Sequence, residues 1–287
     1  MTFRYFSDKF TTYNNVIFPM ITFPNAKINV GLFVTEKRPD GFHNLETCFY
    51  PIPLHDTLEI LLAPTFKFST SGIPVEGPET QNLCVKAYQL LNEAYSLPPV
   101  HIHLHKVIPM GAGLGGGSSD AAFTIKLLND IFDLNLTTAK MEEFAGKLGS
   151  DCPFFIRNKP VLATGKGTAF APTTFSLHGK FLLLVYPDVH ISTAQAYAAV
   201  KPAPPKIKLE QLLAPTPNWI EIVNDFEQSV LSSNPRLAQL KDTLIETNPI
   251  YASMSGSGST FYAIYNEKPQ NVPQFPDNYY SEIMQLS

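Results

Sequence analysis

Pro109-Met110-Gly111-Ala112-Gly113-Leu114-Gly115-Gly116-Gly117-Ser118-Ser119-Asp120-Ala121-Ala122 is the stretch whose reading decides the fold. Five of its residues are glycine, and two serines follow them directly. A helical pattern then begins, with Ala121, Ile125, Leu128 and Phe132 on one face. Glycines let a backbone approach a ligand closely with its N–H groups pointing inward. A helix starting just behind them adds the positive end of its dipole. The combination suits a polyphosphate. A flexible linker is the alternative, but linkers rarely run straight into an amphipathic helix. Ser118 and Ser119 are expected to cap that helix whether or not they also touch phosphate.

The rest of the composition bounds the answer. A chain of 287 residues usually holds two domains rather than one growing core. The net charge of -4 argues against general nucleic-acid binding, which needs a basic stripe. Cys48, Cys84 and Cys152 are odd in number and far apart. They make neither a disulfide framework nor a zinc pattern, so a reducing, cytoplasmic setting is expected. No apolar run approaches the ~18 residues of a membrane helix. Residues 1–19 are aromatic and polar without a period and lack the apolar stretch of a secretory signal. They are expected to be an N-terminal extension, non-native or disordered, with Met20 as the alternative natural start.

Outward from the glycine stretch, the chain mixes strands and helices without strict βαβ alternation, which predicts an α+β protein. Thr22–Thr35 alternates as a strand. Leu45–Leu62 reads as one or two strands broken at Pro51 and Pro53, and Asn82–Tyr95 as a helix. Val100–Val107 is a strand, and Thr138–Leu148 a helix stopped by Gly149. A boundary between Gly165 and Lys180 gives a nucleotide-binding domain over 20–175 and a second domain over 176–287. In the latter, Phe181–Tyr186 is a buried strand, and Ser192–Val200, Asp225–Leu231 and Pro235–Thr247 are helical. Tyr251–Tyr265 is a strand–loop–strand with a second glycine–serine run.

Several motifs are excluded. Gly111-Ala112-Gly113-Leu114-Gly115-Gly116 fits G-x-G-x-x-G, but the preceding strand is polar on one face and Pro109 interrupts its exit, unlike a dinucleotide fold. The chain has no Walker A, and neither the His-Arg-Asp nor the Asp-Phe-Gly of a protein kinase. Instead, the glycine stretch resembles the phosphate loop of the galactokinase–homoserine–mevalonate–phosphomevalonate (GHMP) kinase superfamily. Pro24-Asn25-Ala26-Lys27-Ile28-Asn29 resembles its first motif and Ser255-Gly256-Ser257-Gly258-Ser259-Thr260 its third, in the same order along the chain. Arg38-Pro39-Asp40-Gly41-Phe42-His43 and Gly149-Ser150-Asp151-Cys152-Pro153-Phe154-Phe155 narrow the likeness. They match the branch whose acceptor is a cytidine diphosphate derivative of a methylated tetritol. The likeness runs from Met20 to about Ile264.

The resemblance implies a fold and a set of roles. The N-terminal domain would be ribosomal protein S5 domain 2-like and the C-terminal one ferredoxin-like, with the active site between them. ATP would give its γ-phosphate to the acceptor's 2-hydroxyl, with magnesium present but no protein ligand for it legible. Asp151 is implied as the base and Lys27 as its cationic partner. On their own residues, Lys27 and Asn29 fit a half-exposed strand with a polar side, and Asp151 fits the cap of a short turn. Together they suit phosphoryl transfer, because a carboxylate can accept the hydroxyl proton while an ammonium keeps it ionised. The stretch from Pro109 to Ser119 (Pro109, Met110, Gly111, Ala112, Gly113, Leu114, Gly115, Gly116, Gly117, Ser118 and Ser119) would bind ATP, with Lys106 approaching it.

For the acceptor, the resemblance implies that His43 reads a cytosine edge while Phe42 and Tyr197 stack on the base, with Asn29, Gly256 and Gly258 nearby. Phe42 lacks the hydroxyl of the family's tyrosine. A turn histidine and a helix-face core aromatic are the plainer readings of His43 and Tyr197, and a tight hairpin that of Ser255–Gly258. Asp120 reads as a first-turn helix acid, and His101, His103 and His105 as an exposed strand face. Other acceptors of the superfamily (homoserine, mevalonate or a sugar) and a non-catalytic nucleotide sensor are the alternatives. Retention of both Lys27 and Asp151 argues against the sensor.

Overall fold

The computed structural model describes residues 20–287, so the expectations for residues 1–19 lie outside the described residues. The N-terminal half opens with four strands: β1 (Met20–Thr22), β2 (Asn25–Lys37), β3 (His43–His55) and β4 (Thr57–Leu62). Next come β5 (Lys67–Gly72), helix α1 (Leu83–Tyr95) and β6 (Val100–Lys106). The glycine stretch leads into α2 (Gly116–Ile131), followed by α3 (Thr138–Gly146), α4 (Cys152–Arg157), β7 (Val161–Gly165) and β8 (Ala169–Pro172). Asn82 caps α1 as its sequence position suggests, accepting the Cys84 N–H at 2.9 Å.

Two sheets result, ordered β1-β4-β6-β5 and β2-β3-β7-β8. The inner face of the first, with Leu58, Ile60, Ile102 and Leu104, packs on α1 through α4. Its outer face carries His101, His103 and His105, which share hydrogen bonds with Ser69 and Ser71 of β5. Strand β3 continues unbroken through Pro51 and Pro53, where a break was expected. Its pairing with β7 ends at Phe49, so the prolines sit where a missing N–H removes no ladder bond on that side.

The C-terminal half holds β9 (Phe181–Tyr186), helices α5 (Thr193–Ala199), α6 (Leu209–Leu213), α7 (Glu227–Ser233) and α8 (Pro235–Glu246), and strands β10 (Tyr251–Met254), β11 (Phe261–Tyr265) and β12 (Tyr280–Gln285). The sheet order β10-β11-β9-β12 is antiparallel throughout. Counted within this sheet it is the 4-1-3-2 order of a ferredoxin-like unit, with no helix in the crossover over 266–279. Strand β9 is apolar throughout because both its faces are covered. Leu182 and Leu184 meet β2 and β3, while Leu183 and Val185 meet α7 and α8.

That packing buries β2 as well. Every residue from Asn25 to Val34 is buried, where a half-exposed strand was expected. At Gly31 (φ 70°) the ladder shifts register, and a Cβ there would lie 2.7 Å from Leu209 Cδ1 of α6. Among the described residues no helix is long and apolar enough to cross a membrane.

Candidate active site

The glycine stretch is shaped from behind. Gly111, Gly113 and Gly115 have φ of 64°, 80° and 71°, in the left-handed region that costs other residues energy. The carbonyls between them are all engaged: Ala112 O with Thr260 N–H (3.2 Å), Gly113 O with Lys27 Nζ (3.0 Å) and Ser255 Oγ (2.8 Å), and Leu114 O with Lys27 N–H (2.9 Å). In a trans peptide the N–H points opposite to the carbonyl. Anchoring these three oxygens therefore turns the N–H groups of Gly113, Leu114 and Gly115 outward, making an anion-binding concavity. Ala112 and Leu114 send their side chains into the core.

The second glycine run is the buttress. A Cβ on Gly113 would lie 2.0 Å from Ser255 O, and one on Gly256 would lie 3.3 Å from Gly113 Cα. Two backbones from opposite halves thus pack face to face at positions only glycine fits. Helix α2 starts at Gly116 with the left-handed Gly115 as its N-cap, and no side chain caps it. This corrects the expectation for Ser118 and Ser119. Ser118 lines the cleft, whereas Ser119 is buried and its Oγ has no partner. The first N–H groups of α2 are left for a ligand.

Lys27 and Asn29 point to one face, as their spacing requires, and both are buried. Lys27 Nζ donates to Asn29 Oδ1 at 2.6 Å and lies 3.8 Å from Asp151 Oδ2. Burial pulls the Lys27 ammonium below its usual range, and Asp151 pulls it back up. Asn29 Nδ2 donates to Thr47 Oγ1 at 2.9 Å. Asn29 thus fixes Lys27 through its amide oxygen, holds Thr47 through its amide nitrogen, and lines the cleft. Asp151 occupies the N-cap position of α4 without making a side-chain cap bond. Its carboxylate is one-third exposed and faces the cleft.

The cleft between the halves has a volume of about 1330 Å³ and takes in Gly111, Gly113, Gly115, Ser118, Lys27 and Asp151. His43, Phe42, Tyr197 and Gly256 also line it. The expected base sandwich differs in geometry. His43 stacks directly on Tyr197, ring centroids 4.9 Å apart, and Tyr197 meets Phe226 edge-on at 4.8 Å. Burial pushes the Tyr197 phenol up to about 12, with Asp151 adding to the rise. Phe42 is 59% exposed, with Lys166 Nζ 4.7 Å over its ring. Gly258 is a correction: it is buried in its turn, where a Cβ would meet Met254 Sδ at 2.8 Å, and it does not line the cleft.

A smaller cavity of about 290 Å³ opens on the other side of the loop, lined by Asn82, Leu83, Met110 and Gly117. Lys106 borders it, but its ammonium is not free for phosphate. It binds Asp56 Oδ2 and, at 2.9 Å, Asp120 Oδ2. Asp56 Oδ1 also accepts the N–H groups of Val107 (2.6 Å) and Ile108 (2.9 Å). This buried triad ties the end of β6 to the start of α2 and so brackets the loop. Asp120 is therefore a buried group past the first turn of α2 rather than a first-turn helix acid. Burial pushes its carboxyl up to about 8 against the pull of Lys106.

Sequence reading missed Asp56 and Thr47, which belong to no motif with fixed spacing, and did not single out Ser255 of the third motif as the loop's anchor. Each acts across a long sequence separation.

Comparison with known proteins places the chain. Residues 82–159 match the family described as GHMP kinases N terminal domain, and residues 211–280 match GHMP kinases C terminal. A Cytophaga hutchinsonii protein named 4-diphosphocytidyl-2-C-methyl-D-erythritol kinase is 51% identical over 93% of this chain and 100% of its own length. A Parabacteroides distasonis protein of the same name is 52% identical over 89% of this chain and 94% of its own. A crystal structure of a 4-(cytidine 5'-diphospho)-2C-methyl-D-erythritol kinase superposes with a TM-score of 0.72 at 30% identity, covering 85% of this chain and 90% of that one.

Proposed function

The chain belongs to the family of 4-diphosphocytidyl-2-C-methyl-D-erythritol kinases, within the GHMP kinases, and we propose how its cleft carries out their transfer. The enzyme moves the γ-phosphoryl group of ATP to the 2-hydroxyl of 4-diphosphocytidyl-2-C-methyl-D-erythritol, in isoprenoid precursor biosynthesis. The observation that carries the reading is the Lys27–Asp151 pair, 3.8 Å apart beside the amide-lined loop.

In our mechanism the polyphosphate lies on the outward N–H groups of Gly113, Leu114 and Gly115 and the open start of α2. The nucleoside end takes the smaller cavity beside Asn82 and Met110. The acceptor enters the cleft with its cytosine against His43, Tyr197 and the exposed Phe42. Its 2-hydroxyl oxygen attacks the γ-phosphorus and the new O–P bond forms. The bond to the β,γ-bridging oxygen breaks and ADP leaves. Asp151 accepts the hydroxyl proton. Lys27, held in place by Asn29 and Gly113 O, faces Asp151 and polarises the hydroxyl.

Magnesium fits the loop's donor chemistry. Asp120 Oδ1 and Ser119 Oγ are buried oxygens without partners at the start of α2. Binding would have to draw the proton from the Asp120 carboxyl, which burial holds up to about 8; a carboxylate and a hydroxyl, with phosphate and water, would then suit magnesium. Asp120 and Ser119 would hold the ion, which would supply positive charge to the transferring phosphates.

We place the domain division at 175/176 and the reaction in the cytoplasm, where the free, buried Cys48, Cys84 and Cys152 would stay reduced. Homoserine, mevalonate or a sugar as acceptor, and a non-catalytic sensor, are not favoured by the named relatives. The test is incubation with ATP and magnesium against a panel of these alcohols, read by mass spectrometry for an added phosphoryl group. Transfer to the cytidyl acceptor alone is expected. Transfer to another alcohol, or to none, refutes the assignment.

A further inference from the structure

The phosphate loop is short of positive charge. Lys106 is taken up by Asp56 and Asp120, and Lys27 faces Asp151. Neither ammonium is free to meet a polyphosphate together with a second, diphosphate-bearing substrate. One more protonatable group stands at the loop. His190 lies between β9 and α5, and its Nδ1 would be 3.2 Å from a Cβ on Gly111, the loop's first glycine.

The segment holds that ring in place. Val189 and Ile191 on either side pack into the core of the C-terminal half, and the Val189 carbonyl accepts from Ser259 Oγ. The exposed His190 side chain is left in the cleft with Gly111, Gly113 and Ser118. Among the described residues it makes no hydrogen bond to the protein. The other charged or titratable groups sharing the cleft are Lys27, Lys37, His43, Asp151, Lys166 and Tyr197, and Asp188 lies two residues away in the chain.

We propose that His190 is a phosphate-binding residue, donating from its imidazole to a phosphate oxygen at the Gly111 end of the loop. The proposal rests on the kinase reading above. The oxygen belongs either to the nucleotide or to the acceptor's diphosphate. An imidazolium beside a phosphate makes a charge-assisted hydrogen bond and weakens its hold as it loses its proton.

The test uses the full chain and its His190→Ala, His190→Asn and His190→Lys variants, first checked for wild-type thermal unfolding. Turnover is measured from pH 6 to 8.5, varying ATP and the cytidyl acceptor separately, and ADP binding is measured by calorimetry. His190→Ala and His190→Asn should raise one KM by roughly tenfold or more at pH 6.5, the worth of a charged hydrogen bond. The gap should narrow towards pH 8.5, and His190→Lys should keep the lower KM across the range. A higher KM for ATP with weaker ADP binding assigns the nucleotide phosphates. A change confined to the acceptor assigns its diphosphate. If the wild type turns over and neither KM moves more than twofold at any pH, the proposal is overturned. If the wild type shows no transfer, the kinase reading falls and this one with it.

Discussion

Gly113→Ala tests whether the loop works as a rigid amide cradle. The substitution adds one methyl group at φ 80°, where it would lie 2.0 Å from the carbonyl oxygen of Ser255. Two effects follow. Left-handed backbone costs an alanine roughly 1–2 kcal/mol. The clash cannot be relieved by a rotamer change, because the atom struck is backbone. The loop must retreat by about 1 Å to restore an ordinary contact, stretching the bonds of Gly113 O to Lys27 and Ser255. A weakened hydrogen bond adds about 1 kcal/mol, so the loss of stability should be roughly 2–3 kcal/mol, a Tm drop of about 4–10 °C for a chain of this size. A 1 Å error in substrate placement lowers turnover by about 10²-fold, and kcat/KM should fall at least that far.

Gly179→Ala supplies the control. It has the same left-handed φ, 78°, with nothing within 4 Å of the added atom. It should cost stability through strain alone and leave kcat/KM within about twofold of wild type by the same placement argument. The assay is ATP-dependent phosphorylation of the cytidyl acceptor alongside thermal unfolding. A Gly113→Ala enzyme with near-normal kcat/KM would show that the face-to-face packing of Gly113 and Ser255 is not what organises the phosphates.

Three further outcomes are expected. Asp151→Asn should lower kcat by two or more orders of magnitude with ADP affinity retained by calorimetry, because it removes the proton acceptor and leaves the loop intact; near-normal turnover would remove Asp151 as the base. His43→Ala should raise the acceptor KM by roughly 2- to 12-fold, the worth of one hydrogen bond to the base edge, with a smaller change in kcat; the reverse pattern contradicts a base-reading role. Lys27→Met should reveal a pH signature in the Tm difference from wild type. The Lys27 pKa is lowered on folding, chiefly by burial. The wild type therefore bears the full penalty of a buried charge below that folded pKa, and regains stability as pH rises from it towards the unfolded value near 10.5. A difference that stays flat between pH 7 and 10.5 would show that Lys27 is not desolvated.

Much of this site could be read from local spacing. The glycine run needs no partner to announce a tight, amide-rich loop, and a two-residue step on a strand is enough to put Lys27 and Asn29 side by side. What failed were statements about exposure. Lys27 and Asn29 looked like the wet face of a strand because the groups that cover them are distant in sequence: the glycine loop at Gly113 is 86 residues from Lys27, and Ser255 is 226 residues from Asn29. Lys106 looked like a free cation because Asp56, its partner, sits 50 residues earlier in a stretch with no pattern of its own. Strand β12 escaped because Tyr280–Gln285 alternates weakly and earns its place only by pairing with β9. Pro51 and Pro53 misled for a related reason: whether a proline breaks a strand depends on which of its edges is paired.

The same long-range contacts explain how a polyanion can be held with so little free positive charge. Lysines placed around the loop would bind phosphate, but each would carry its own hydration and conformational freedom to be lost on binding. Here the loop's carbonyls are taken up in advance by Lys27, Ser255 and Thr260, so the N–H groups facing the cleft need not reorganise when charge arrives. Two of these three anchors, Ser255 and Thr260, come from the C-terminal half. The cradle therefore takes its shape only when the two halves are docked, and docking also sets His43 of one half against Tyr197 of the other. In the proposed mechanism the nucleotide and acceptor sites share a single interface, so a substitution that loosens it should weaken both substrates together, whereas one confined to Asp151 or His43 should not.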